Sequence, residues 1–387
     1  MIRGCGDRIS LTPVFAAFLL GTTACDRPSC DTAQLNERTK ALVQRMHARN
    51  PVPGISVAIV APGMFPGAVT AVHGVRSLAS GDSLTSSDRF LAGSVGKMFF
   101  AGLGLRDAGN GRLSLDAPVA TFLPASGIAA FAWITPRMLL KHTGGIGEYD
   151  RPFMDALIRE PARERQTNDW LDVIRRHAPV AADTGTFRYS DLNYVVLAMV
   201  LDAIEPSGAY ATIQQEILTP LQLHATAPSV SAKIERLVVG YDGERSMFGQ
   251  DAMMSNGALI YNPQFEWGGG GFASTPTDLA NFMTAFRRGR VFPDSLWTMA
   301  IAKPNGVAAD VHQWRGMGVH VDSTSLGSSY GHSGFMPGYV SWVRWYETLG
   351  VSVAMQVNAS DGARLIDDGF DWVDSVAAIT SLHCRAR

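Results

Sequence analysis

Ser94-Val95-Gly96-Lys97 sets a hydroxyl and an amine three residues apart, just ahead of the apolar run Met98-Phe99-Phe100-Ala101. On a helix, positions i and i+3 share a face, so the two side chains can meet. A serine hydroxyl becomes a useful nucleophile when a base takes its proton. A lysine can be that base if burial and nearby cations keep it neutral. The spacing therefore suits acyl transfer through Ser94, with Lys97 assisting its deprotonation. It also places Ser94 at a helix N-terminus, where free backbone N–H groups stabilise developing negative charge. Taken alone, the same four residues describe a helix cap followed by a solvated lysine.

Two later groups add to it. Tyr189-Ser190-Asp191 follows Gly185 and Phe187 and leads into a helix. A tyrosine hydroxyl beside a Ser–Lys pair can relay protons to a leaving group, provided cations favour its ionised form. By itself it reads as a core tyrosine before a helix capped by Ser190 or Asp191. Gly331-His332-Ser333-Gly334 lies just before an apolar run from Tyr339 to Trp345. A positive or hydrogen-bonding His332 with the Ser333 hydroxyl could bind a substrate carboxylate or carbonyl. Small residues there let the backbone approach the substrate, and an N–H of this segment can complete an oxyanion hole. By itself it is a histidine in a turn.

The elements that must hold these groups are legible from periodicity. Thr32 to His47 reads as an amphipathic helix through Leu35, Leu42, Val43 and Met46. Ile55 to Val60 reads as a strand and Val69 to Val75 as its hairpin partner. Trp170 to His177, Leu192 to Ile204 and Thr277 to Arg288 read as helices, the last capped by Thr275 or Thr277 with Pro276 near its start. Gly316 to Val321, Tyr339 to Trp345 and Val351 to Val357 read as antiparallel strands, and Leu365 to Leu382 as a closing helix. Strands at both ends around a helical middle imply an α+β fold. One lobe would comprise about 37–106 and 263–384, with a mainly helical lobe at about 107–262.

The three groups, in this order, resemble the penicillin-recognising serine hydrolases: class C β-lactamases, D-Ala-D-Ala carboxypeptidases and related carboxylesterases. The likeness extends to Ile134–Ile146 (ITPRMLLKHTGGI), Gly269–Leu279 (GGGFASTPTDL) and Tyr330–Tyr339 (YGHSGFMPGY). It covers roughly Glu37 to Ile379. The resemblance implies a β-lactamase/transpeptidase-like fold, with an antiparallel sheet flanked by helices. It implies that Ser94 is acylated, that Lys97 and Tyr189 handle its proton, and that His332 and Ser333 form the third motif. The N–H groups of Ser94 and Phe335, beside Gly334, would form the oxyanion hole. No cofactor is implied. Asp191 stands where asparagine is more usual; an ionised aspartate accepts hydrogen bonds but cannot donate one to a substrate amide carbonyl. Asn193 is a partial substitute two residues on. The expected activity is that of a D-alanyl-D-alanine carboxypeptidase or a related amide or ester hydrolase. A class C-like β-lactamase and a family VIII-type carboxylesterase are the alternatives. A catalytically weak peptidoglycan-binding or sensor protein is the non-enzymatic one.

Other chemistries fit poorly. Gly93-Ser94-Val95-Gly96 approaches the turn of an α/β-hydrolase, but no regular alternation of strands and helices surrounds it. Gly96-Lys97 is followed by Met98 and fails as a phosphate loop, and no H-E-x-x-H or paired C-x-x-C suggests a metal. The 46% hydrophobic content of 387 residues supports a sizeable core, and a net charge of −2 without a basic block argues against nucleic acid. Arg3 and Arg8, the apolar stretch Ile9 to Gly21 and Thr22-Thr23-Ala24 read as an export signal over residues 1–24. A linker at 25–36 and a hydrolase domain at 37–384 would follow. Cys25 would be the first mature residue, in a junction similar to those of lipid-anchored bacterial proteins. Cys30 could pair with Cys384, or with Cys25, in an oxidising compartment. The mature protein would be periplasmic or secreted, with membrane anchoring through Cys25.

Overall fold

The computed structural model describes residues 30–123, 128–181, 185–244, 246–303, 311–360 and 365–384. The expected export signal and Cys25 lie outside the described residues. The chain enters through helix α1 (Thr32–Arg49), whose first turn is closed by Asp31 accepting from the Gln34 N–H. Strands β1 (Gly54–Val60) and β2 (Ala68–Gly74) then form an antiparallel hairpin. A short strand β3 (Phe90–Leu91) leads into a 3-10 turn, Gly93–Gly96, and helix α2 (Lys97–Gly109).

The middle of the chain supplies α3 (Pro136–Leu140), α4 (Arg151–Arg159), α5 (Thr167–Arg176), α6 (Asp191–Ile204) and α7 (Ala209–Ile213). It also carries β4 (Ala227–Pro228), β5 (Met254–Ser255) and β6 (Ala258–Leu259), so it is not purely helical. Next come β7 (Phe272–Ser274), α8 (Pro276–Arg287) and α9 (Trp297–Ile301). Of the two cap candidates for α8, Thr275 is the one that accepts, from the Asp278 N–H, and Pro276 occupies the first turn where its missing N–H costs nothing. Strands β8 (Gln313–Arg315), β9 (His320–Thr324), β10 (Gly327–Met336), β11 (Tyr339–Tyr346) and β12 (Val351–Val357) and helix α10 (Leu365–His383) close the chain.

Seven strands form one sheet in the order β2-β1-β12-β11-β10-β9-β8, every neighbouring pair antiparallel. Its central strands are buried on both faces and read as continuous apolar runs rather than alternating ones. Successive residues point to opposite sides. Val57, Trp342 and Met355 join the layer of α1 and α10, whereas Ala58, Val343 and Ala354 join the layer of α2, α6 and α8. This is the α+β arrangement that the sequence implied. A disulfide joins Cys30 to Cys384, which settles the pairing in favour of the long-range partner.

Two readings change. Most of the expected strand at Gly316–Val321 is instead the turn between β8 and β9, where Gly318 has φ 78°, and only His320 and Val321 fall in a strand. The segment read as a turn around His332 is the second half of β10, a ten-residue strand. Its glycines and serines hide a strand pattern, and the hairpin with β11 imposes it. β9 pairs only with Gly327–Gly331, so on that side β10 is a free edge from His332 to Met336.

Candidate active site

Ser94 lies in the 3-10 turn between β3 and α2. Gly93, just before it, has φ +54°, and a Cβ there would stand 2.6 Å from both the backbone N and O of Phe335. Only glycine permits both the turn and this approach. Gly334 plays the reciprocal part on β10: a Cβ on it would fall 2.0 Å from the Ala92 carbonyl and 2.9 Å from the Ser94 nitrogen. The free edge of β10 is thereby pressed against the nucleophile turn, with the Phe335 amide facing Gly93.

Lys97 opens α2 and is fully buried. Its Nζ donates to Ser94 Oγ at 2.9 Å, to Asp191 Oδ1 at 2.5 Å and to the Gly269 carbonyl. Burial by itself would push the amine toward neutrality. The Asp191 carboxylate, the strongest of the acidic influences around it, outweighs burial and holds the lysine above its ordinary pKa. The sequence reading expected cations around Lys97; the structure supplies acids instead. The resting lysine is therefore an ammonium, and it must shed a proton before it can take one from Ser94.

Asp191 and its neighbours are fixed by the start of α6. Ser190, not Asp191, caps the helix: its hydroxyl accepts from the Leu192 N–H and donates to the Gly147 carbonyl at 2.6 Å. The Asp191 N–H is taken by Glu148 at 2.9 Å. Tyr189 stacks on His142 with ring centroids 4.4 Å apart, and its ring lies 5.1 Å from Lys97 Nζ. Burial pushes the phenol up to about 12 while Lys97 pulls it down, so the hydroxyl is un-ionised.

His332 is buried on β10 with its ring 4.2 Å from His320. Its Nδ1 donates to its neighbour Ser333's carbonyl at 2.5 Å, which leaves Nε2 as an acceptor. Burial, then the Lys97 charge, lowers it to about 3. His332 is a neutral hydrogen-bonding group, and the positively charged option is corrected. Ser333 faces a neighbouring cavity of about 410 Å³ that also holds Arg315, His320 and the Arg344–Asp322 ion pair.

Asn193 does not join the cleft. It is fully buried, its amide donates to the Ser190 carbonyl at 3.4 Å, and its Oδ1 lies beside Gly144. Residues two apart on a helix point to different sides, so Asn193 cannot stand in for Asp191.

Three neighbours were not singled out in the sequence. His142 backs Tyr189; Glu148 opens to a cleft of about 640 Å³; Glu266 is buried near Lys97. A usable signal existed for the last: Phe265-Glu266-Trp267 places an acid between two aromatics, directly ahead of four glycines. Among the described residues, no group of three or more His, Cys, Asp or Glu side chains is arranged to hold a metal ion.

A Ser–Lys pair at the head of a buried helix, a tyrosine across from it and a strand edge alongside define the site of a β-lactamase-fold serine hydrolase. The chain matches the Beta-lactamase family over residues 39–377 and belongs to that family. It is 24% identical over 367 residues to "Penicillin-binding protein 4" of Amycolatopsis lactamdurans, with 88% of each chain covered. Its fold is similar to that of a D-stereospecific amidohydrolase from a Streptomyces species (TM-score 0.72, 24% identity, 88% of this chain and 98% of that one). It is also similar to a D-amino acid amidase from Ochrobactrum anthropi (TM-score 0.73, 20% identity, 89% and 99%).

Proposed function

We propose that this protein is a serine amidohydrolase acting through an acyl-enzyme on Ser94, with amino acid amides or short peptides as substrates. The observation that carries the reading is the three-way contact at Lys97 Nζ, which joins the Ser94 hydroxyl to the acid Asp191. Once Lys97 has lost a proton to solvent, Ser94 Oγ attacks the carbonyl as its own proton passes to the neutral amine, directly or through the Tyr189 hydroxyl. The oxyanion is held by the N–H groups of Ser94 and Phe335. The same proton then returns through Tyr189 to the departing nitrogen, and water cleaves the ester. Asp191, beside Lys97, accounts for one acid next to the nucleophile, and Glu148, whose side chain accepts from the Asp191 N–H, for a second close by. This pair of acids suits a substrate whose α-ammonium lies beside the scissile carbonyl, as in the D-amino acid amides named for one structural neighbour.

Arg315 supports a second reading. It shares a cavity with Ser333 at the end of the free β10 edge and could hold the carboxylate of a departing D-amino acid. That would make the protein a D-alanyl-D-alanine carboxypeptidase-like enzyme. The two readings are separated by comparing D-phenylalanine amide, its N-acetyl derivative and an acylated D-Ala-D-Ala peptide as substrates. Preference for the free amine supports the first; preference for the blocked peptide supports the second. Ser94→Ala abolishes turnover in either case, and activity surviving it defeats both. The Cys30–Cys384 disulfide supports export to an oxidising compartment, as the basic and apolar N-terminus does.

A further inference from the structure

Glu266 is a buried acid for which the scheme above has no use. It sits on the 3-10 segment Pro263–Gly269, and the next residue, Trp267, has φ 36° and ψ −119°. A bulky residue rarely adopts a positive φ, and such strain persists only where the surroundings impose it. Here Trp267 packs on Trp170 with ring centroids 4.9 Å apart, and its carbonyl accepts from the Tyr210 hydroxyl at 3.2 Å. The turn thus sends Trp267 toward Trp170 while Glu266 faces the floor of the site.

The carboxyl lies against that floor, beside the close approach of Gly270 to the Gly93 carbonyl, which a Cβ on Gly270 would meet at 2.4 Å. A Cβ on Gly270 would stand 2.7 Å from Glu266 Oε2, and one on Gly269 would stand 3.7 Å from it and 3.2 Å from Asp191 Cβ. Gly269 is also the residue whose carbonyl accepts from Lys97. Glu266 Oε2 is enclosed without a hydrogen-bond partner. A buried oxygen left unsatisfied is costly, and it calls for an explanation in function.

We propose that Glu266 is a positioning residue that acts through Lys97: the charge on its carboxyl sets how readily Lys97 becomes a neutral base, and so gates acylation of Ser94. The proposal rests on the reading of Ser94 and Lys97 given above. The groups that face Glu266 electrostatically are Lys97 on α2, Asp191 on α6, Glu148 and Tyr149 before α4, Tyr210 on α7, and Tyr261. Lys97 is the one cation among them. Burial, then Asp191, lifts Glu266 to about 8, against the pull of Lys97. Glu148 titrates lower, near 7, and opens to the cleft, where water weakens its hold on the lysine.

The consequence is a competition for protons. While Glu266 is neutral, the fraction of uncharged Lys97 grows tenfold with each pH unit. Above pH 8, Glu266 releases its proton first, and its new charge pins Lys97 as an ammonium. The uncharged fraction then stops growing until the added attraction is overcome.

The test is the rate of Ser94 acylation by a nitrophenyl ester in the full chain, from pH 6 to 10, with the adduct confirmed by intact mass. The wild type should show a shoulder beginning near pH 8, and Glu266→Gln, which is always neutral, should rise straight through it. At pH 9 the variant should acylate roughly tenfold faster. Glu266→Asp, with the acid drawn back by one methylene, should shrink the shoulder, and it serves if the glutamine variant fails to fold. Folding stability gives a second readout. A carboxyl whose folded pKa lies above its unfolded one costs stability as pH rises from about 4.5 to 8, and Glu266→Gln should remove that slope. Superimposable profiles, or a wild type without a shoulder, overturn the proposal. An absent Ser94 adduct in the wild type sinks the nucleophile reading as well, which separates the two failures.

Discussion

Lys97 and Asp191 form an ion pair at 2.5 Å directly beside the nucleophile, with the lysine fully buried and the aspartate 18% exposed. Asparagine at this position could donate to a substrate; aspartate instead anchors the lysine's charge. Asp191→Asn should lower the Lys97 pKa and shift the acidic limb of the acylation profile to lower pH by about one unit or more. Pre-steady-state acylation between pH 5 and 9 measures it. An unmoved limb would mean that Asp191 does not govern Lys97.

Removing Lys97 should harm chemistry more than folding, but not chemistry alone. Lys97→Ala is expected to slow acylation by about 10²–10⁴-fold. It also strips a partner from Asp191 and from the Gly269 carbonyl, at a cost of about 1–3 kcal/mol in urea unfolding. Lys97→Ala/Asp191→Asn should recover part of that stability and none of the activity.

The histidines make the site sensitive to acid. Burial holds His142, His320 and His332 below the ordinary histidine range, so they are neutral when folded and protonate once unfolded. The unfolded chain binds more protons below about pH 6.5, so their contribution is complete above that value and is lost as pH falls toward 3. Thermal melts from pH 7 to 4 should decline less steeply in His332→Gln than in the wild type. Equal slopes would count against a neutral His332.

Gly93→Ala should be far worse than an ordinary surface substitution. The methyl would meet Phe335 backbone atoms at 2.6 Å from a backbone at φ +54°. The β10 edge must retreat from Ser94, so acylation should fall by at least 10²-fold in whatever fraction remains folded. Acylation near the wild-type rate would show that the contact is not needed.

The chemistry written within one helical turn was legible in the sequence. The spacing of Ser94 and Lys97 raised the pair and the later motifs gave it weight, while α1, α6, α8 and β12 needed only their periodicity. What depended on distant partners was not. The charge of Lys97 is decided chiefly by Asp191, far along the chain, so local reasoning about burial reached the opposite protonation state. Asn193 was within reach of sequence geometry, since two residues on a helix turn a side chain away. β10 was hidden because Gly331, Ser333 and Gly334 give up strand propensity so that backbone can approach backbone.

The Cys30–Cys384 bond staples the two ends of the described chain within the layer of α1 and α10, while the Ser94 turn opens into the layer of α2 and α6. Any tether joined ahead of Cys30 therefore departs from the back of the sheet. Cargo appended at either end would trail behind the enzyme instead of blocking its mouth.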